Sequence, residues 1–506
     1  MIMPSTPRGW PMWWRCLVLF NISFYNLLGN AFAAGVPPLF GLIIPEFRVT
    51  QDTASQLSTL ALLTLGLSNI FALPVASLIG KRWTILISLA IFSVANVWSA
   101  VAPSFESLLG SRLLAGLSGG LAEAIGPIIV AETFPEEQLA RAMVVYVGAL
   151  AAGSSLGPIV SGAVATGLNS WRAYQWIISG AAFLNLVGCI LMMPETTHIG
   201  TSISGPDSPG EDGGAEPIKP REVRSETVDP EKSARGKSPT TETESMTLSQ
   251  EWKSRSFSGR FFGLASYHYA LAQLLEPMQL LAMPQVLATT LVFGITIGWT
   301  VLTSIVMAAI YAQPPLLWSS RSIGLLNVAP LIGLTIGLPL GGALADMLHS
   351  WVSRKDGNRA HDPSSRLPAV LVGGLVSPAG CLVMGFALQR PDAWINVCVG
   401  WAMLSFGLTA SANVLLTYSV HCMPNRAGHI GVVVNVVKNC VGFGVSYASL
   451  KWLQTAGPVR QFGTMAGVLL GAYLLVIPLW VWKGGLFRLS AMLERKLVFA
   501  TPPRIE

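Results

Sequence analysis

The chain has 506 residues, of which 52% are hydrophobic and only 11% are charged, and its formal net charge is +6. A soluble protein of this length would need roughly three or four domains and a much larger share of charged residues. About a dozen apolar runs lie along the chain instead, each close to the roughly 20 residues that a helix needs to cross a hydrocarbon core. Length and composition therefore exclude a soluble protein and predict an all-α membrane protein with about twelve transmembrane helices.

The predicted spans form two sets of six on either side of one polar stretch. They cover 16–39, 56–79, 83–103, 106–131, 140–168 and 173–193 in the first half, and 286–313, 320–347, 366–388, 394–417, 427–452 and 463–483 in the second. Trp83–Pro103 and Gly467–Trp482 are apolar all round, whereas a buried helix of a soluble protein usually has one apolar stripe. The first span is too long for a cleavable signal peptide and is interrupted by Asn21, Asn26 and Asn30, so it is predicted to remain as a helix.

These spans divide the chain into five predicted regions. They are a cytosolic N-terminal tail (1–15), a six-helix bundle (16–195), a cytosolic linker (196–285), a second six-helix bundle (286–483) and a cytosolic C-terminal tail (484–506). The linker is rich in Ser, Pro, Gly, Glu and Lys, which predicts a disordered tether; a regulatory region with phosphorylation sites stays open as an alternative. From Phe261 to Pro284 the sequence is amphipathic, which predicts an interfacial helix or, alternatively, an extension of span seven that breaks at Pro284.

The distribution of Lys and Arg predicts the orientation, because cytoplasmic loops carry an excess of these residues. Basic residues cluster in the segments that lie inside if the N-terminus is cytosolic, while the other loops have about one each. The clustered residues are Arg8, Arg15, Lys81, Arg82, Arg141, Arg354, Lys355, Arg359, Arg366, Arg426, Lys483, Arg488, Arg495 and Lys496. Both termini and the linker are therefore predicted to be cytosolic, and the net charge gives no reason to expect a nucleic-acid partner.

No sequence motif of an enzyme, a metal site or an ATP-driven pump stands out. The six cysteines have no CxxC pairing and lie mostly within or beside spans, as small packing residues do. The histidines lack the spacing of metal ligands, and neither a GxxxxGK(S/T) phosphate loop nor a GxSxG elbow is present. The sequence therefore predicts no disulfide framework, no metal, no cofactor and no catalytic residues.

Glu123 is the most informative polar residue, because a polar group at membrane depth is costly unless it is satisfied. It follows Gly116, Gly119 and Gly120, which permit close approach of helices. The functional interpretations are a proton-coupling site or a counter-charge for a cationic substrate; the structural one is a carboxylate neutralised by Arg112 or by hydroxyls. Arg112 lies about 11 residues away, a rise of roughly 16 Å in one helix, so it is expected to meet another helix or to extend outward. A structural role and a role in proton relay or substrate binding both stay open for Arg112.

Several further polar residues are candidates for a substrate path. Lys438 in span eleven is a second internal cation, which is either functional or extends toward the cytosol. Asn26 and Asn30 belong to a polar stripe on span one that either lines a path or forms interhelical hydrogen bonds. Trp299, Tyr311 and Asn435 are additional candidates for the cavity wall. Pro158 in span five weakens the helix locally, which predicts either a functional bend or tight packing alone.

Four sequence motifs near the helix ends carry a family resemblance. LGLSNIFALPVASLIGKRW contains Pro74, Gly80, Lys81 and Arg82; SRLLAGLSGGLAEAIGP contains Arg112, Gly116 and Glu123, with Glu132 and Arg141 following it. GSSLGPIVSG contains Gly157, Pro158 and Gly162, and the loop after span eight contains Gly342, Asp346 and Arg354. In their order and placement these motifs resemble those of the major facilitator superfamily (MFS), in particular its fungal twelve-helix branch of drug:proton antiporters. The resemblance covers nearly the whole chain outside the linker and tails.

The resemblance implies the MFS fold, with two six-helix bundles around a central cavity and access that alternates as the halves rock. It implies a transporter and no enzyme, with a small-molecule substrate, protons and the lipid bilayer as partners. The expected function is proton-coupled efflux of a drug, toxin or secondary metabolite by a monomer in the plasma membrane. The alternatives are a vacuolar location, proton-coupled uptake of a cationic metabolite such as a polyamine, and a substrate sensor that transports nothing.

The loop motifs resemble conformational latches, by which we mean contacts that stabilise one access state. Asp346 is expected to accept hydrogen bonds from a helix N-terminus or to pair with Arg354. The usual acidic residue is absent from the loop after span two, where Trp83 replaces the common Pro. The latch of the first half is therefore predicted to be weaker or to use Glu132 instead.

Overall fold

A computed structural model describes residues 7–196, 267–355, 363–390, 392–423, 426–482, 489–490 and 492–493. Within these ranges the ordered elements are all helices, as the sequence predicts. Most of the predicted linker, from 197 to 266, and most of the C-terminal tail lie outside the described residues. The predicted tether therefore stays a prediction.

The described residues of the first half, 7–196, contain seven α-helices. They are α1 (Met12–Ala34), α2 (Phe40–Phe47), α3 (Gln51–Ile79), α4 (Lys81–Val101), α5 (Phe105–Thr133), α6 (Glu136–Leu168) and α7 (Arg172–Met192). The predicted first span, 16–39, extends too far: α1 ends at Ala34, and the chain turns before Pro37 and Pro38, which lack the N–H groups that a continuing helix needs. Gly80 separates α3 from α4 with a φ of 85°, a backbone conformation that favours glycine.

The second half contains the remaining helices. They are α8 (Tyr267–Gln279), α9 (Pro284–Ala312), α10 (Ser320–Leu325), α11 (Val328–Lys355), α12 (Val370–Ala387), α13 (Trp394–Cys422), α14 (Ala427–Leu474) and α15 (Val476–Val481). The predicted span eight, 320–347, is divided between α10 and α11. The start of the predicted span nine, at 366, falls in a 3-10 helix, Pro363–Ala369, that precedes α12.

Helix α14 contains two membrane crossings, because it breaks at Gly457. Gly457 has a φ of 75° and a ψ of 166°, and Pro458 follows it. The side-chain amide of Gln461 donates a hydrogen bond of 3.0 Å to the carbonyl of Ser449, 12 residues earlier; a straight helix would separate these residues by roughly 18 Å. The chain therefore reverses direction here. Eleven described segments are apolar and long enough to span a bilayer, and the longest supplies two spans, so the twelve-helix fold is confirmed.

The two halves are joined mainly through three of the spanning helices in the first half. Helix α3 packs against α14, α5 contacts α14, and α6 packs against α10 and α11. At the predicted external ends, the side-chain amide of Gln313 donates to Gln51 at 2.6 Å, and the backbone N–H of Arg321 donates to the hydroxyl of Thr166 at 3.0 Å. Large apolar side chains such as Leu184 and Leu375 are about 70% exposed, which is the surface that lipid would cover.

Helix α8, which leads out of the linker, is bound to the second half by a charged cluster. It packs against α3 and α14. The buried carboxylate of Glu276 lies 2.8 Å from Nε2 of His429 and 3.5 Å from Nη1 of Arg426. Leu271 and Leu275 on the same helix are more than 60% exposed. This arrangement, polar toward the protein and apolar outward, is the one that the predicted interfacial helix would have.

Glu276→Ala is expected to loosen α8, because the substitution removes the carboxylate that His429 and Arg426 contact. Amide hydrogen exchange in Tyr267–Gln279 should become about tenfold faster, which corresponds to about 1.4 kcal/mol of local stability. Glu106→Ala serves as the control, since Glu106 is an exposed acid on α5. Unchanged exchange in α8 would show that the cluster does not stabilise this helix.

Candidate functional site

A cavity lies between the two halves of the molecule. Its wall is formed by α1, α3 and α6 of the first half and by α9, α11, α13 and α14 of the second. Its volume is about 70 Å³, enough for a few water molecules and well below the roughly 300–1,000 Å³ of pockets for drug-sized ligands. A substrate of that size therefore requires the halves to move apart.

A buried ion pair joins the two halves beside this cavity. The carboxylate of Glu123 on α5 contacts the ammonium of Lys438 on α14, and both side chains are only 2% exposed. The amide of Asn439 donates to the second carboxylate oxygen at 3.0 Å, and the amide of Asn69 on α3 reaches the same oxygen at 3.5 Å. The acid on α5 is thus held by polar groups from two other helices, α3 of its own half and α14 of the second half.

The backbone at Glu123 is also fixed from both halves. The amide of Asn435 on α14 donates to the carbonyl of Glu123 at 3.2 Å. The phenol of Tyr146 on α6 lies 3.2 Å from the carbonyl of Ala122 and 3.3 Å from that of Glu123. Movement of α14 relative to α5 would therefore break the ion pair and a backbone contact together.

The pairing corrects two of the sequence-based interpretations. Lys438 does not extend toward the cytosol, because its ammonium is buried against Glu123. Neither Arg112 nor a hydroxyl neutralises Glu123 in the described part of the chain, because the counter-charge comes from the other half.

Arg112 is fully buried and contacts two other helices of the first half. Its Nε donates to the carbonyl of Leu57 at 2.7 Å, and Nη2 donates to the carbonyl of Phe32 at 2.8 Å. The guanidinium carbon lies 4.0 Å from the centre of the Phe32 ring, a distance at which a cation is attracted to the ring face. These contacts hold α1, α3 and α5 together and favour the structural interpretation of Arg112.

The predicted polar stripe of span one only partly faces the cavity. Asn30 lines the wall, and its amide donates to the carbonyl of Asn26 at 3.0 Å. Asn26 is 2% exposed and is not among the described residues of the wall. The stripe therefore serves local hydrogen bonding as well as the cavity.

The aromatic candidates for the cavity wall lie elsewhere in the second half. The indole N–H of Trp299 donates to the carbonyl of Met465 at 3.1 Å, which ties α9 to α14. The ring of Tyr311 packs on Trp318 with 4.5 Å between centroids. Neither residue is among the described residues of this wall, so their assignment to the cavity stays a prediction. The indole N–H of Trp299 thus has its acceptor within that half.

Sequence reasoning missed three residues of the site, namely Asn69, Tyr146 and Asn439. Asn439 directly follows Lys438 in an otherwise apolar run, and Asn69 lies within the apolar second span. A side-chain amide inside an apolar span is costly unless it has a partner, which is the feature that could have identified both. Nothing in the sequence around Tyr146 indicates its role.

The predicted latch residue Glu132 forms its contacts within the first half. Its carboxylate contacts the ammonium of Lys81 at the start of α4 and accepts a hydrogen bond of 2.8 Å from the hydroxyl of Thr196. The backbone N–H of Arg82 donates to Glu195 at 2.9 Å. These contacts connect the helix ends of one bundle. That Glu132 replaces the missing loop acid in the latch stays a hypothesis, in which its partner is Lys81.

The remaining motif residues occupy varied positions. A Cβ at Gly157 would lie 2.5 Å from the carbonyl oxygen of Ala31, and one at Gly162 would lie 2.4 Å from that of Ser320 in the other half. Pro74 and Pro158 lie inside α3 and α6, Arg141 is exposed, and Gly342 has open space around it. The side chains of Asp346 and Arg354 in α11 lie outside the described residues, so their predicted latch stays a prediction.

Two six-helix halves around a cavity define a helical membrane transporter of the kind built from two bundles. The family model described as Major Facilitator Superfamily matches residues 19–447, and the chain belongs to this superfamily. It is therefore a multi-pass membrane transporter and not an enzyme.

Known relatives agree with this assignment. The chain is 23% identical to the uncharacterized MFS-type transporter C1271.10c of Schizosaccharomyces pombe, over 91% of this chain and 82% of the relative. It is 21% identical to the MFS antiporter QDR3 of Candida albicans, over 95% of this chain and 79% of the relative. The crystal structure of the human organic anion transporter MFSD10 (TETRAN) matches 92% of this chain and 100% of that chain, with a TM-score of 0.59 and 14% identity, a likeness of fold alone.

Proposed function

We propose that the protein is a proton-coupled secondary transporter of a small organic molecule that works by alternating access, with Glu123 as the proton site. The observation that carries the proposal is the buried Glu123–Lys438 pair, which joins the two halves beside the cavity. An ionisable group at membrane depth is a functional site by default. Here the group also lies where the two halves touch, so its charge affects how strongly the halves attract each other.

The proposed coupling follows from the charges of the pair. While Glu123 is ionised, it attracts Lys438 and the two halves are held together at this level. A proton on Glu123 removes the negative charge, so the state with the pair formed loses stability relative to a state with the halves apart. The proton thereby shifts the balance between access states, which is what coupling requires.

Two directions of transport are supported by different observations. Export of a drug, toxin or secondary metabolite in exchange for protons is favoured by the description of the relative QDR3 as an antiporter. Movement of the substrate in the same direction as the protons, inward or outward, is favoured by the cation on the cavity wall, Lys438. In either case we propose the plasma membrane, with both termini cytosolic, as the location.

The proposal is tested with proteoliposomes that contain a pH-sensitive dye. Metabolites that differ between cells lacking and cells overproducing the protein supply the candidate substrates. Wild-type protein should move protons when a substrate gradient is applied, and the sign of the pH change gives the direction.

The variant with both Glu123→Gln and Lys438→Met should lose the proton movement but retain exchange of labelled for unlabelled substrate. Glu106→Gln, an exposed acid on the same helix, is the matched control and should behave as wild type. Proton movement that persists in the double variant would remove Glu123 as the coupling site.

A further inference from the structure

The cavity wall carries a cation while the acid of the ion pair lies behind it. Among the described residues that line the cavity, Lys438 alone is charged. Glu123 is absent from this wall, and Lys438 and Asn439 of α14, which contact its carboxylate, belong to it. A molecule that enters the cavity therefore meets the ammonium before it meets the carboxylate.

The surroundings of the Lys438 ammonium suit an amphipathic anion. An ammonium has three N–H donors, and the contact with Glu123 leaves donors that the carboxylate does not occupy. The Phe293 ring lies 5.9 Å from Nζ and belongs to the wall, as do Leu62, Ile297 and Leu334. A cation bordered by an aromatic ring and aliphatic side chains complements a carboxylate attached to an apolar body.

We propose that the transported molecule is an organic acid whose carboxylate binds Lys438 when Glu123 is protonated. The inference rests on the proposed function, since it uses the same proton site. Protonation of Glu123 leaves the Lys438 cation without its buried counter-charge, and a carboxylate restores that counter-charge. Proton and anion thus favour each other's binding and travel in the same direction.

A cationic substrate fits the same charges poorly. To pair with Glu123 it would have to displace Lys438, whose ammonium contacts the carboxylate. The displaced ammonium would then be a buried cation beside a second cation, an arrangement in which like charges repel in a medium of low polarity. The expectation of a cationic metabolite such as a polyamine is therefore not favoured by this site.

The test measures binding to the purified full-length protein in detergent. The probes are two carboxylates, benzoate and indole-3-acetate, each with its neutral amide and with an amine, benzylamine or tryptamine. Thermal stabilisation is titrated for wild type at acidic and neutral pH, for Glu123→Gln, and for the variant with both Glu123→Gln and Lys438→Met. The matched control combines Glu123→Gln with Lys451→Met, at an exposed lysine on the same helix.

At least one carboxylate should bind Glu123→Gln about tenfold or more tightly than its amide does, because a charge-assisted contact is lost in the amide. That preference should disappear in the variant with Glu123→Gln and Lys438→Met and remain in the control with Glu123→Gln and Lys451→Met. Three outcomes would each overturn the proposal. They are preferential binding of the amines, carboxylate binding by the Glu123→Gln, Lys438→Met variant that is as tight as by Glu123→Gln alone, and no response of Glu123→Gln to either carboxylate. Carboxylate binding that depends on Lys438 but is unaffected by pH or by Glu123→Gln would support the anion site and contradict Glu123 as the proton site.

Discussion

Glu123→Gln and Lys438→Met are each expected to lower the melting temperature sharply, whereas the variant that carries both should recover most of the loss. Each single change leaves one buried charge without its partner, which costs about 3–5 kcal/mol, while replacement of both charges by neutral groups is close to neutral. Both side chains are only 2% exposed, so bulk water solvates the remaining charge poorly. Melting in detergent, followed by tryptophan fluorescence, gives the four values of a double-mutant cycle.

The surface ion pair between Glu46 and Arg172 supplies a matched control. Its Nη1 and Oε1 atoms are 2.6 Å apart, but the two side chains are 38% and 36% exposed. Exposed pairs contribute at most about 1 kcal/mol, so Glu46→Gln should change the melting temperature little. A coupling energy near zero for Glu123 and Lys438 would show that the buried pair does not form in the protein as purified.

The fold could be predicted from the sequence because the bilayer limits it. A hydrocarbon core of fixed thickness sets the length of an apolar helix, so runs of that length identify the spans without any knowledge of packing. The break between the last two spans was predicted for the same reason, and Gly457 with Pro458 supplies it. The separate helices α2 and α10 were not predicted, because both are too short for the length of an apolar run to reveal them.

The candidate site could be predicted only as separate residues. Glu123 and Lys438 stand out because each is an ionisable group in an apolar run, but they are 315 residues apart, and apolar periodicity says nothing of which helices face each other. Trp299 and Tyr311 were predicted to line the cavity and lie outside its described wall for a related reason. A polar atom on an aromatic ring needs a partner, and the sequence does not show whether a backbone carbonyl or a cavity provides it.

Gly120→Ala is expected to destabilise the protein strongly, although the change adds one methyl group. A Cβ at Gly120 would lie 2.1 Å from the carbonyl oxygen of Leu65 and 2.0 Å from the hydroxyl of Ser68, so α3 and α5 would have to separate. Overpacking of this kind costs typically about 1–3 kcal/mol and occasionally more. The yield of monodisperse protein and its melting temperature should both fall relative to wild type.

The neighbouring residue Gly119 provides the control, because a Cβ there has no contact closer than 3.6 Å, to the Phe92 ring. Gly119→Ala should leave yield and melting temperature close to wild type. The displacement at Gly120 should also reach the ion pair, since Asn69 follows Ser68 and its amide faces Glu123. Gly120→Ala should therefore cost less when Glu123 and Lys438 are already Gln and Met. Equal costs in both backgrounds would mean that the contact of α3 with α5 and the charged contact between the halves are independent.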